Sequence, residues 1–129
     1  PPRETWATAL PVLSTPVSRR LCIAQSSNPP PGADAGLTAL ATRTMLAPPR
    51  RRTLALSRNG WTSFKREHTV VEVSAQEPEA LEIEIWRYPP DLFARDAMVD
   101  PLSLYLSLQD DDDERTALAL EELLETVTW

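Results

Sequence analysis

From Ala80 to Tyr88 the chain reads ALEIEIWRY, with Leu81, Ile83 and Ile85 at every second position and Glu82 and Glu84 between them. Period two is the signature of a strand, and this alternation predicts one face turned to the core and the glutamates turned to water. RRTLALS sets Leu54 and Leu56 at the same spacing and predicts another strand; RRLCIAQ and TVVEVSA are shorter apolar runs of the same kind. The brief SAQEPE connection predicts that TVVEVSA and ALEIEIWRY form an antiparallel pair.

Helical spacing dominates elsewhere. ETWATALPVL starts with helical character and is interrupted at Pro11. AGLTALATRTML places Leu37, Leu40 and Ala41 on one face, with Asp34 positioned to cap it and Pro48-Pro49 to end it. Asn59-Gly60 reads as a turn ahead of a short helix, WTSFKRE. DLFARD reads as one or two turns capped by Asp91. In DPLSLYLSL, Asp100 occupies the cap and Pro101 the first helical position, where its missing N–H costs nothing. The last run, DDERTALALEELLETV, aligns Ala117, Leu120, Leu124 and Val127, with Leu123 beside the stripe. SSNPPPGAD reads as an exposed loop, since consecutive prolines donate no backbone hydrogen bond. Together these elements predict an α+β (mixed α/β) domain: a small sheet of about three to four strands packed on several helices, with a helical C-terminus.

At 129 residues the chain fits a single domain spanning 1–129. The Pro1-Pro2-Arg3 start suggests the C-terminal domain of a longer protein. No apolar run approaches a membrane span, so no membrane partner is expected. One cysteine, Cys22 in LCIA, reads as a small buried hydrophobe in a reducing, cytoplasmic setting.

Charge changes the picture more than composition does. The net charge of −6 hides ten Lys/Arg against two Asp/Glu in residues 1–66, and three against seventeen in residues 67–129. Either the two halves meet inside one fold, or the basic half faces an anionic partner such as nucleic acid. The basic candidates are Arg50, Arg51, Arg52 and Arg58, with Trp61, Lys65 and Arg66 close behind. Arginine pairs bidentately with phosphate and tryptophan stacks on bases.

Candidate chemistry is sparse. The run Asp110–Asp113 lacks the glycine and alternate-position ligands of a calcium loop, whereas acids are favoured where a helix starts by its free N–H groups and dipole. Glu72, Glu82 and Glu84 are the carboxylates that a metal-dependent nuclease-like domain would use to activate water, although EIEIW carries no accompanying lysine. His68 stands without a second ligand for zinc, no glycine-rich phosphate loop exists, and neither a catalytic residue nor a cofactor is expected.

The stretches GLTALATRTMLAPPRRRTLALSRNGW, EIEIWRYPPDLFA and VDPLSLYLSL with DERTALALEELLE resemble the C-terminal region of bacterial proteins carrying a winged-helix or MarR-like segment. They are similar to AbiEi-type (type IV) toxin–antitoxin regulators over roughly residues 36–125. The resemblance implies a non-enzymatic regulatory or effector-sensing module that works through a protein partner or a homodimer. It also implies that any DNA reading belongs to a segment ahead of Pro1. Trp6, Trp61, Trp86 and Trp129 are the possible interface anchors, core packing being the other use of each. The nuclease-like domain is the alternative reading.

Overall fold

The structure is a computed structural model that describes residues 2–25, 28–92 and 94–127. Its helices are α1 (Pro2–Ala9), α2 (Gly36–Arg43), α3 (Arg58–Glu67), α4 (Pro101–Leu108) and α5 (Glu114–Thr126). The strands are β1 (Val17–Ile23), β2 (Ala33–Asp34), β3 (Thr53–Ser57), β4 (Glu72–Val73) and β5 (Leu81–Trp86), with 3-10 turns at Leu10–Val12 and Pro90–Leu92. The α+β class follows as the pattern predicts, but the sheet has five strands rather than three to four, in the order β2-β3-β5-β1-β4. The fifth arises because Ala33–Asp34, inside the expected proline loop, pairs with β3. That loop is not wholly exposed either: Pro30 is buried, and a Cβ on Gly32 would stand 2.7 Å from the Ala55 carbonyl oxygen. Only glycine allows so close an approach.

The expected hairpin between TVVEVSA and ALEIEIWRY does not form. β4 pairs antiparallel with β1, and β1 lies between it and β5. β5 instead runs parallel to β3 on its other side, with α3 as the helical part of the crossover. With partners on both edges, β5 is the central strand.

Both faces of that strand are covered. Leu81, Ile83 and Ile85 join Leu54, Leu56 and Ile23 beneath Trp61 and Phe64 of α3. The opposite face carries Trp86, Ala55 and Val17, which pack with Leu40 of α2, Leu104 of α4 and Leu120 and Leu123 of α5. The molecule is therefore three-layered: α3, the sheet, then α2, α4 and α5. Burying each of these large aliphatic side chains contributes about 1.5–3 kcal/mol, so the two clusters hold the layers together.

Local details depart from the pattern where side chains found other partners. Asp34 does not cap α2: it sits in β2 and accepts from Arg52 Nε at 2.9 Å, leaving Ala35 at the cap without a side-chain bond. α2 ends at Arg43 because Thr44 turns extended and donates its hydroxyl to the Leu40 carbonyl at 2.7 Å. Asn59-Gly60 is not a turn but the first turn of α3, since Ser57 caps it by accepting from Gly60 N at 3.0 Å. Asp91 lies in the 3-10 turn rather than capping a helix, and Phe93 beside it is outside the described residues. Asp100 caps α4 as read, accepting from Ser103 N at 2.9 Å. On α5 the buried stripe is Thr116, Ala119, Leu120, Leu123 and Leu124. Ala117 is exposed, so the expected stripe was displaced by part of a turn.

Between the 3-10 turn and α4, Arg95 and Met98 exchange backbone hydrogen bonds at 3.1 and 3.0 Å around Asp96 and Ala97. Both central residues have positive φ, 54° and 59°, as a two-residue type I′ turn demands. Aspartate tolerates this region; alanine does not, at about 1–2 kcal/mol. Replacing Ala97 by Gly removes that strain and gives back about 0.4–1 kcal/mol as unfolded-chain entropy. Ala97→Gly is thus expected to raise stability by about 0.5–1 kcal/mol in urea unfolding. Unchanged or lower stability would show that the turn is not strained.

Candidate functional site

Alternation places Glu82, Glu84 and Trp86 on the α2/α4/α5 side of β5. The register sets Thr53, Ala55 and Ser57 of β3 beside them in turn, and Cys22, Arg20 and Val17 of β1 on the other side. Arg20 reaches this face because of an irregularity between Val17 and Arg19, where the Ser18 hydroxyl donates to the Ile85 carbonyl at 2.9 Å. Without that shift, Val17 and Arg19 would share a face and Arg20 would point toward α3.

The three helices cover only the Trp86 end of this face. Its other end is the floor of an open cavity of about 590 Å³, formed by Arg20, Thr53, Glu82 and Glu84. Gly36 and Leu37 at the start of α2 form one wall; Ser107 and Leu108 at the end of α4, with Asp110 and Asp111 after it, form another. Pro49, Arg50 and Arg51 close a third side. Gly36 adopts φ of 55°, and a Cβ there would crowd the Thr53 side chain.

The floor corrects the expectation of two water-facing glutamates. Glu84 is 1% exposed and Glu82 is half-buried, because a second helical layer covers the face that alternation assigned to solvent. Glu84 is not left alone there. Arg20 Nε donates to its Oε2 at 3.3 Å, Trp86 Nε1 to its Oε1 at 3.1 Å, and Arg20 also donates to the Ser107 carbonyl at 2.8 Å. Burial raises the Glu84 pKa above the ordinary carboxylate value; the Trp86 bond and the Arg20 charge pull it back, and Glu82 adds to the rise. Glu82 accepts from the Thr53 hydroxyl at 3.1 Å and has Arg51 at 3.9 Å.

The proposed metal set is divided. Glu72 pairs in register with Ile23, which belongs to the α3 face, and it bonds Arg19 at 3.5 Å. Glu82 and Glu84 lie across the sheet. Among the described residues no three His, Cys, Asp or Glu groups converge as metal ligands would.

The basic candidates are also dispersed. The chain is extended as it enters β3, so Arg50, Arg51 and Arg52 go to different sides. Arg50 meets Glu79 at 3.1 Å, Arg51 donates to Cys22 Sγ at 3.4 Å and to the Ala75 carbonyl, and Arg52 holds Asp34. Trp61 is 3% exposed beneath α3, so its ring is not offered to a base. Arg58, Lys65 and Arg66 remain exposed on the outer side of α3. Trp86 is core, Trp6 stands edge-on to Tyr105 with centroids 6.0 Å apart, and Trp129 lies outside the described residues.

Asp113 caps α5, accepting from Arg115 N at 2.8 Å, and Asp111 accepts from Asp113 N at 2.9 Å. The helix-start reading thus holds for Asp113, while Asp110 and Asp111 stand on the cavity rim. Arg20, Leu37, Thr53 and Ser107 carry no motif. One signal did point to the site: Trp86 shares the parity of Glu82 and Glu84, and a tryptophan on a supposedly wet face argues that the face is covered.

Comparison with protein-family models, with curated proteins and with solved structures finds no match for this chain.

Because the Glu84 pKa is raised on folding, this group's contribution to stability is full below its unfolded value and lost as pH rises through the folded value. Glu84→Gln removes that dependence. Urea unfolding at pH 4 and pH 7 is therefore expected to show the variant gaining on the parent as pH rises. A parent that instead gains on the variant from pH 4 to pH 7 would mean that Arg20 and Trp86 outweigh burial.

Proposed function

We propose that the chain is a non-enzymatic regulatory domain that takes a small polar ligand in the cavity between sheet, α2 and α4. It would serve as the sensing or interaction module of a bacterial, cytoplasmic regulator or antitoxin-like protein. The observation that carries this reading is the position of Arg20. It bonds Glu84 on the cavity floor and the Ser107 carbonyl at the end of α4 in the wall. A ligand that competes for either bond alters how the floor is tied to the α4–α5 corner, which is what a sensing domain requires.

The floor also suits recognition better than reaction. Glu84 already accepts from Arg20 and Trp86, and Glu82 accepts from Thr53. Polar groups so fixed can orient a ligand at small entropic cost. A nuclease-like reading needs converging carboxylates, but Glu72 is on the far face, and among the described residues Asp110 and Asp111 on the rim do not gather with Glu82 and Glu84 as metal ligands would. No helix among the described residues is long and apolar enough to cross a membrane.

Thermal unfolding with a panel of amino acids, short peptides, polyamines and nucleosides tests the proposal. At least one compound is expected to raise the melting temperature saturably, by about 10 °C at 100 times its Kd. Leu37→Trp, which fills the mouth from α2, is expected to lose the shift. A panel without effect, or a shift that survives Leu37→Trp, would sink the reading. Phosphodiester cleavage that vanishes in Glu84→Gln would replace it with an enzyme.

A further inference from the structure

The cations of the first half of the chain are not all consumed inside the fold. Arg19, Arg20, Arg50, Arg51 and Arg52 each contact a carboxylate. Arg58, Lys65 and Arg66 do not: among the described residues none of them enters an ion pair. All three are exposed on α3, whose inner side is fixed by buried Trp61 and Phe64. The Lys65 ammonium lies 5.4 Å from the centre of the Trp61 ring, so its stem is held along the helix rather than sweeping free. Between the cations the exposed positions are Asn59, Thr62 and Ser63.

We propose that the outer face of α3 binds the phosphate backbone of duplex DNA. Arg, Lys, Asn, Ser and Thr are the side chains that contact phosphate and sugar oxygens. A ten-residue helix is about 15 Å long and narrow enough to enter a major groove about 12 Å wide. The same composition argues against a protein partner on this face, since stable protein interfaces place apolar or aromatic anchors at their centre. These exposed positions supply none. It argues equally against a lipid surface, which a helix enters with apolar residues.

The net charge of −6 does not oppose this binding. Asp91 shares a small cavity with Ser57 and Gly60 at the start of α3, but the unpaired acids Asp110, Asp111, Glu121 and Glu125 belong to the α4–α5 layer, across the sheet from α3. Two layer spacings of about 10 Å separate them from the cations, beyond the screening length of about 8 Å at physiological salt. Glu67 is the one acid on α3 itself, at its last position.

Fluorescence polarisation of a labelled 20-bp DNA duplex, titrated with the whole chain at 50 to 200 mM salt, decides the matter. Three phosphate contacts predict a slope of log affinity against log salt of about −2.7, a loss on the order of 40-fold across that range. Arg58→Gln with Arg66→Gln leaves one contact and is expected to flatten the slope to about −0.9. These exposed side chains can be replaced without disturbing Trp61 or Phe64, and an unchanged melting temperature checks it. Glu121→Gln with Glu125→Gln alters net charge on the opposite layer and is expected to leave DNA affinity within about twofold, as screening requires. The proposal is overturned by absence of binding at 50 mM salt, by an unchanged slope in the arginine variant, or by an equal and opposite effect of the glutamate variant. It is also overturned if phosphatidylserine vesicles compete the chain off DNA, or if the arginine variant abolishes self-association rather than DNA binding.

Discussion

The arrangement depends on one constraint: β5 is packed on one face and covered at the Trp86 end of the other, yet two of the three side chains on that second face are carboxylates. A strand sandwiched by helices normally reads as a continuous apolar run. Here Glu84 occupies such a position at 1% exposure, and an unpaired carboxylate there would cost several kcal/mol. The fold answers with the irregularity in β1 that brings Arg20 to the same face, and with an indole N–H from Trp86 two residues along. Arg20 keeps about half of its side chain in the cavity, so the pair stays partly hydrated and the desolvation cost falls mainly on Glu84. The cavity follows from this arrangement: helices packed flush over Arg20 would desolvate both members of the pair.

The same logic organises the rest of the charge. Of the six ion pairs among the described residues, four join a basic residue before position 67 to an acid after it. The division along the sequence is therefore largely a device for folding one half onto the other. Exposed pairs such as Arg50–Glu79 contribute about 0–1 kcal/mol each. They matter less for stability than for choosing which strands lie side by side, since like charges opposed across strands are disfavoured. Among the charges this pairing leaves over are Arg58, Lys65 and Arg66 on α3 and Asp110, Asp111, Glu121 and Glu125 at the α4–α5 corner, on opposite sides of the sheet.

The elements were legible where a single physical cause decides them. Period-two spacing marked β3 and β5, and the Asp100-Pro101 signature marked α4, because local sterics and capping suffice there. Topology was not legible. β4 is the predicted partner of β5 but pairs with β1, a choice made by contacts more than 40 residues apart in the chain. Asp34 was read as a cap because caps are local; it went to Arg52, whose position depends on β3 lying beside β2. The basic tripeptide read as one patch because sequence adjacency was taken for spatial adjacency, whereas an extended chain sends neighbours to opposite faces.

The candidate cavity was half legible, and the missing half is instructive. Glu82 and Glu84 were singled out for the right spacing and assigned the wrong environment. Alternation states which residues share a face; it does not state whether that face is covered. The deciding residue was Trp86, two positions after Glu84, since a ring of that size shares a face with carboxylates only where the face passes from a packed region to an open one. The sheet face makes that transition between Trp86 and Glu82, within six residues of one strand. The outer face of α3 lies beyond the same strand's other side, behind Ile83 and Ile85. Any influence of a cavity ligand on that helix would have to pass through a fully packed sheet, which transmits strain but has no second arrangement of its own to adopt. The element a cavity ligand would meet directly is the α4–α5 corner that Arg20 holds through Ser107, on the cavity's own side. Under the regulatory function proposed above, the readout is therefore to be sought there, in the exposure of α5 and the acids before it, rather than on α3.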